Sequence, residues 1–193
     1  MQTRTSITTK VGDRGTTFLF SGEEVSKDSL RTMAYGDLDE LVSILGIARC
    51  QVTREEAREE ILHLQRDLFK LGTELATALD HVNELKERIT PELVRAMEGR
   101  IVELEQHLPP PDGFVIPGGH GALGAAHLDH ARTVARRLER RTVSLERAKL
   151  LENPSLLIWL NRLSDLLWLM ARREEGNSLS LREVRKAKER DRT

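Results

Sequence analysis

A single cysteine, Cys50, among 193 residues leaves no partner for an internal disulfide and too few thiolates for a cysteine-rich zinc or iron–sulfur site. A chain without disulfides suits a reducing compartment, and Cys50 itself, at the end of a helical stretch, is expected to be a small buried hydrophobe. Net charge is also lacking. Thirty basic side chains face 31 acidic ones, a formal balance of -1, so no general field draws the chain to nucleic acid or to an anionic membrane. Any anion site must therefore be local. Long apolar runs are missing as well: the longest, residues 156–160 and 166–171, are far too short to span a bilayer, and the first twenty residues are polar. These absences point to a cytoplasmic protein whose partners include neither nucleic acid nor membrane.

Strand signals are scarce too, confined to residues 16–20 and 114–116, which leaves helices to build the fold. Leu30, Met33, Leu38, Leu41, Leu45 and Ala48 follow the three-and-four spacing of one helical face. A second stripe, Ile61, Leu64, Leu68, Leu71, Leu75 and Leu79, follows Thr53 and Glu56, which are spaced as a capping box. Thr90 and Pro91 read as cap and first residue of a third helix through Leu93, Met97, Ile101, Leu104 and Leu108, stopped by the prolines at 109–111. A fourth helix is expected over residues 122–150, and a fifth from Asn153-Pro154 to Arg173, ended by Gly176 and Asn177. The fifth is apolar nearly all round, so it must be buried centrally or against another subunit. Trp159 and Trp168 on it are expected to pack. The expected architecture is an all-α five-helix bundle of up-and-down type, about the size of a ferritin-like bundle. Residues 1–27 form an N-terminal loop with a short strand, 28–175 the bundle and 176–193 a charged tail, either a solvated helix or disordered.

Three features sit awkwardly in a purely structural reading. The loop Thr8, Thr9, Lys10, Val11, Gly12, Asp13, Arg14, Gly15, Thr16, Thr17 combines glycines, hydroxyls and cations, as a phosphate cradle does, though it fits neither a Walker motif nor a dinucleotide fingerprint. A Gly-Asp turn leading into a strand is the plain alternative. On the fourth helix Arg132, Arg136 and Arg140 recur every four residues, beside Arg137, Glu139 and Arg141. Like charges at that spacing repel, so they require either acids such as Asp37, Asp39 and Glu40 or a bound polyphosphate. On the fifth helix Asn161, Ser164, Asp165 and Arg172 draw a polar line, serving either an interhelical hydrogen-bond network or a ligand.

Six strings occur in an order that resembles the PduO-type ATP:cob(I)alamin adenosyltransferases. They are Thr9-Lys10-x-Gly12-Asp13-x-Gly15-x-Thr17, Lys27-Asp28, Ala34-Tyr35-Gly36-x-x-Asp39-Glu40-Leu41, Phe114-Val115-Ile116-Pro117-Gly118-Gly119, Ala131-Arg132-Thr133 with Arg136-Arg137-x-Glu139-Arg140, and Asn161-Arg162-Leu163-Ser164-Asp165. The resemblance runs from about residue 8 to residue 173. It implies a homotrimer with ATP and cobalamin bound between subunits. The loop from Thr8 to Thr17 (Thr8, Thr9, Lys10, Gly12, Asp13, Gly15, Thr16, Thr17) and Lys27 would wrap the triphosphate and its magnesium ion. Arg132, Arg136, Arg137, Glu139, Arg140 and Asn161 complete the ATP site, while Phe114, Ser164 and Asp165 face the corrinoid. By the same resemblance Arg132 would pair with Asp39 of the partner subunit, and Phe114 would exclude the lower axial base of the cobalt. The implied reaction gives adenosylcobalamin and triphosphate, with a flavoprotein reductant upstream and an adenosylcobalamin-dependent enzyme as product acceptor.

Departures from the family pattern fall on the corrinoid side. Val42 stands where an asparagine is usual, Asp129 replaces the histidine of Leu-His-x-x-Arg, and the segment at 120–124 is about two residues longer. They motivate an alternative, a non-catalytic relative that binds ATP or corrinoid for delivery or sensing. A ferritin-like metal bundle is a further alternative, resting on Glu60 and His63 with His120, His127 and His130; it requires a second Glu-x-x-His motif that the sequence lacks.

Overall fold

The computed structural model describes residues 7, 8, 10–176 and 178–190, so Thr9, Asn177 and the end of the tail lie outside the described residues. Five long helices form the bundle: α1 (Leu30–Gln51), α2 (Glu55–Leu75), α3 (Pro91–His107), α4 (Leu123–Arg147) and α5 (Ser155–Glu175). A hairpin of β1 (Thr16–Phe18) and β2 (Glu24–Ser26) precedes them, and a short α6 (Leu181–Arg190) follows. Thr16 pairs with Ser26 and Phe18 with Glu24 in antiparallel register. The charged tail is thus helical over Leu181–Arg190, and β2 had no hydrophobic pattern to announce it.

Helix starts follow local chemistry where a cap is free to act. Ser29 accepts from the Thr32 N–H at α1, and Thr90 accepts from the Leu93 N–H at α3, with Pro91 behind it. The expected cap at α2 is different: Arg54 occupies the position without a side-chain bond, because the Thr53 hydroxyl donates instead to Glu174 at the end of α5 (2.7 Å). Tertiary donors also shorten α2. Its apolar stripe runs on to Leu79, but the helix stops at Leu75, where the Arg31 guanidinium takes the Leu75 carbonyl (2.9 Å) and the Phe20 N–H takes that of Ala76 (2.8 Å). Residues Leu79–Glu84 then form a 3₁₀ turn. Arg31 also donates to the Leu150 carbonyl (2.7 Å), so one buried guanidinium ties α2 to the loop after α4; its burial lowers its pKa, an effect Glu23 partly opposes.

α4 packs between α1 and α5, α2 lies on α1, and α3 lies on α5. An Arg100–Glu60 ion pair (3.2 Å) joins α3 to α2 and closes the ring. Close approach comes from alanines: Ala125, Ala131 and Ala135 on α4 and Ala34 and Ala48 on α1 are wholly buried. Leu156, Trp159, Leu160, Leu163, Leu166 and Leu167 of α5 are likewise shielded, as its nearly continuous apolar surface requires, although Ile158 reaches solvent. Cys50 is exposed rather than buried: α1 turns its core face through Ala48 and Val52, and position 50 falls on the outer side. Buried Glu74 pins the segment between α2 and α3 by accepting from the Ile89 N–H (2.7 Å) and from Asn153 (2.9 Å). None of the described helices is long and apolar enough to cross a membrane.

Gly124, at the start of α4, has no room for a side chain, since a Cβ there would meet the Val52 Cα at 2.8 Å and the Gln51 carbonyl oxygen at 2.9 Å. Backbone cannot yield as a flexible side chain can. Gly124→Ala is expected to destabilise the fold by about 1–3 kcal/mol, read as a fall of several degrees in the thermal midpoint.

Candidate functional site

Lys10 opens the N-terminal loop in a left-handed conformation (φ 59°), ahead of a 3₁₀ turn at Val11–Arg14 that ends on Gly15 (φ 82°). Glycine adopts that geometry freely, whereas at a lysine it stores roughly 1–3 kcal/mol of strain, a cost typical of ligand clamps. Lys27 lies across this turn. Its backbone N–H donates to the Gly15 carbonyl (2.9 Å), and a Cβ built on Gly12 would come within 2.6 Å of its ammonium nitrogen. Gly12 is therefore what admits the cation. Lys10, Asp13, Gly15 and Lys27 are exposed, as is Thr8, while Gly12, Thr16 and Thr17 are half-buried. The loop and Lys27 thus form one unit, with two amino groups and the Asp13 carboxylate at the surface.

The arginines of α4 divide into two sets. Arg137 bridges Asp37 (3.2 Å) and Glu40 of α1, and Arg141 also reaches Asp37 (3.7 Å). These two are neutralised by the acids the sequence suggested, apart from Asp39. Arg136 and Arg140 are exposed and have no carboxylate partner among the described residues; Arg140 donates only to the Arg136 carbonyl (2.9 Å). Arg132, half-buried, has Asp129 at 3.6 Å from its Nε. Asp39 is exposed and its carboxylate is unpaired among the described residues. Within this chain no hydrogen bond or ion pair joins residues 10–17 to the arginine row among the described residues.

On α5 the polar line is mostly consumed internally. Asn161 donates to Glu139 of α4 (3.1 Å) and accepts from Arg162 (2.7 Å), which in turn pairs with Glu98 of α3 (2.9 Å). Ser164 is buried and gives its hydroxyl to the Asn161 carbonyl (2.9 Å), whereas Asp165 is exposed. Arg172 is buried with Asp129 (2.6 Å) and Glu175 (3.1 Å), and its guanidinium lies 5.5 Å from the Trp168 ring centre.

Phe114 stands in solvent at 84% exposure, yet its backbone is held. The Leu181 N–H donates to its carbonyl (2.8 Å), and the Ile116 N–H donates to Leu179 (2.9 Å), so residues 114–116 pair with the segment leading into α6. Gly118 follows at φ 70°, and a Cβ on Gly119 would strike Leu179 at 2.5 Å. Only the strand-like pattern at 114–116 was visible in sequence; its partner at 179–181 carries no strand signal. Glu60 of the metal-bundle alternative is engaged by Arg100, and His63 points to solvent, which leaves that alternative without its carboxylate.

The profile of the family described as "Cobalamin adenosyltransferase" matches residues 7–174, which takes in the loop, the arginine helix and the polar line. The chain belongs to the cobalamin adenosyltransferase family. It is 42% identical over 169 residues to a corrinoid adenosyltransferase of Citrobacter freundii, covering 88% of this chain and 94% of that one. The corrinoid adenosyltransferase PduO of Salmonella typhimurium is 36% identical over 96% of this chain, which spans about half (54%) of that longer protein. Among solved structures, a phenylalanine-to-histidine variant of the PduO-type ATP:corrinoid adenosyltransferase from Lactobacillus reuteri, complexed with cobalamin and ATP, superposes with a TM-score of 0.82. The two are 31% identical over 92% of this chain and 97% of that one. The adenosyltransferase family therefore accounts for the whole bundle.

The division of the arginines predicts opposite stabilities. Arg136→Ala should change the unfolding free energy by less than about 0.5 kcal/mol, and Arg137→Ala should cost more, up to about 1 kcal/mol, because it leaves Glu40 without its cation and Asp37 with Arg141 alone. Chemical denaturation of the two variants checks the order.

Proposed function

We propose that this chain transfers the 5′-deoxyadenosyl group of ATP to the cobalt of cob(I)alamin, giving adenosylcobalamin and triphosphate. One observation carries the reading: Arg136 and Arg140 stay exposed and without a carboxylate on a helix whose neighbouring arginines, 137 and 141, are neutralised. A free row of guanidinium groups is suited to phosphates. The family match over residues 7–174 and the Lys10–Lys27 loop support the same substrate.

In this reading the subunits assemble as a homotrimer. The loop of one subunit, with Thr8, Thr9, Lys10, Thr16, Thr17 and Lys27, meets Arg136 and Arg140 of the next around the triphosphate, which accounts for their separation within one chain. Arg132 meets Asp39 of the partner subunit, a residue that is exposed and without an ion pair in its own chain among the described residues. A magnesium ion would enter on the phosphates, and Asp13 with the loop hydroxyls offers the hard oxygen donors that ion accepts. Asn161 and Glu139, already hydrogen-bonded, place the nucleoside.

The cobalt substrate supplies the nucleophile. Its electron pair forms the bond to the 5′ carbon of ATP as the carbon–oxygen bond to the triphosphate breaks, so no side-chain base or nucleophile is required. The protein aligns the two substrates and stabilises the charge on the leaving oxygen. Phe114, exposed on a braced backbone, covers the lower face of the corrin and keeps an axial base away, which brings the reduction of Co(II) within range of a flavoprotein. Exposed Asp165 lies on the corrinoid side; Ser164, expected there too, is buried with its hydroxyl on the Asn161 carbonyl and can act only from behind it. The setting is cytoplasmic, with an adenosylcobalamin-dependent enzyme as product acceptor.

Incubation with ATP, magnesium and chemically reduced cobalamin should give many equivalents of adenosylcobalamin per subunit; stoichiometric binding without product would instead assign a carrier or sensor. Arg136→Ala should raise the KM for ATP by about tenfold or more, the loss of one charge-assisted hydrogen bond. Phe114→Ala should slow turnover from cob(II)alamin with a flavin reductant far more than turnover from pre-reduced cobalamin, and equal rates from both would remove Phe114 from the corrin face.

A further inference from the structure

Asp129 is a buried carboxylate, 3% exposed, that the reaction does not use directly. Its Oδ2 accepts from Arg172 at 2.6 Å and its Oδ1 lies 3.5 Å from the other terminal nitrogen of Arg172. The same Oδ1 lies 3.6 Å from the Nε of Arg132, one helical turn further along α4. Arg172 is in turn paired with Glu175, whose side chain is fully shielded. Four charges therefore alternate in a row: Glu175, Arg172, Asp129, Arg132. The first three alone would leave one buried negative charge uncompensated, which is costly in a low-dielectric interior. Arg132 balances it.

The balance also has a direction. Asp129 lies on the Nε side of Arg132 at an ion-pair distance beyond hydrogen-bond reach, and none of the guanidinium nitrogens of Arg132 has a hydrogen-bond acceptor among the described residues. An arginine held on its Nε side by charge attraction alone keeps its bidentate fork available for a carboxylate or a phosphate.

We propose that Asp129 is a positioning residue for Arg132: it anchors the guanidinium to the Arg172–Glu175 pair and so fixes the fork at the subunit-shared ATP site. This rests on the placement of Arg132 at that site. Asp129→Asn keeps the shape and removes the charge.

A double-mutant cycle of Asp129→Asn and Arg132→Ala tests it, with kcat and KM for ATP measured on pre-reduced cobalamin and the thermal midpoint recorded for each variant. Asp129→Asn is expected to lower kcat/KM by about 10–100-fold, as loss of orientation does, and the double variant should be no worse than Arg132→Ala alone within about twofold. Asp129→Glu, which retains the charge, should recover part of the activity; if Asp129→Asn does not fold, the cycle is run with Asp129→Glu, and the same non-additivity is expected. Independent, multiplying losses would overturn the proposal, because Asp129 would then act elsewhere. So would an Asp129→Asn enzyme of unchanged kcat/KM and lowered thermal midpoint, which would leave it a purely structural pair while the role of Arg132 stands. Wild-type rates in Arg132→Ala would sink the placement of Arg132 itself, and the inference with it.

Discussion

Charge crowding on α4 is the constraint around which the rest of the molecule is arranged. Arginines recur along one helix at spacings that repel, and the fold relieves only part of that repulsion. Asp37 and Glu40 of α1 take Arg137 and Arg141, and buried Asp129 takes one edge of Arg132. Arg136 and Arg140 remain open. The helix can hold them because its opposite face, with Ala125, Leu128, Ala131, Val134, Ala135 and Leu138, is locked between α1 and α5. Tertiary packing thus sustains a local electrostatic cost that an isolated helix would not tolerate, and leaves a cationic surface ready for an anion.

The same economy of partners governs α5. A helix that is apolar nearly all round can carry polar side chains only if each finds a mate, and the Asn161–Glu139 and Arg172–Asp129 contacts meet that requirement by reaching to α4. α4 and α5 are therefore joined by leucines and alanines along their length and by two polar links at different heights. One of them continues to half-buried Arg132, 3.6 Å from Asp129, and so connects the bundle interior to the surface of α4.

The loops are positioned by backbone rather than by side-chain packing. Residues 10–17 are held by a 3₁₀ turn, by Gly15 and by the Lys27 N–H; Phe114 is held by the strand-like pairing of residues 114–116 with 179–181. Both leave their functional side chains exposed. An aromatic ring at 84% exposure and a lysine at positive φ are costly in an isolated chain, and suit the proposed site, which substrate and a second subunit would complete.

Helical periodicity by itself determined the five helices, because a three-and-four stripe puts its apolar residues on one face that must be buried, and the ordered strings from Thr9 to Asp165 carried the family. The Thr90 cap, which has no competing partner, was legible for the same local reason, whereas the Ser29 cap emerged only with the structure. Where a distant group competes, local chemistry misleads: Thr53 serves Glu174 rather than its own helix, α2 halts at Leu75 under Arg31, and Cys50 turns outward. Which arginines are neutralised was likewise beyond sequence reading. Positions 136 and 137 are the same residue type one step apart, and only the packing of α1 against α4 decides that a 100° rotation brings one to Asp37 and leaves the other free.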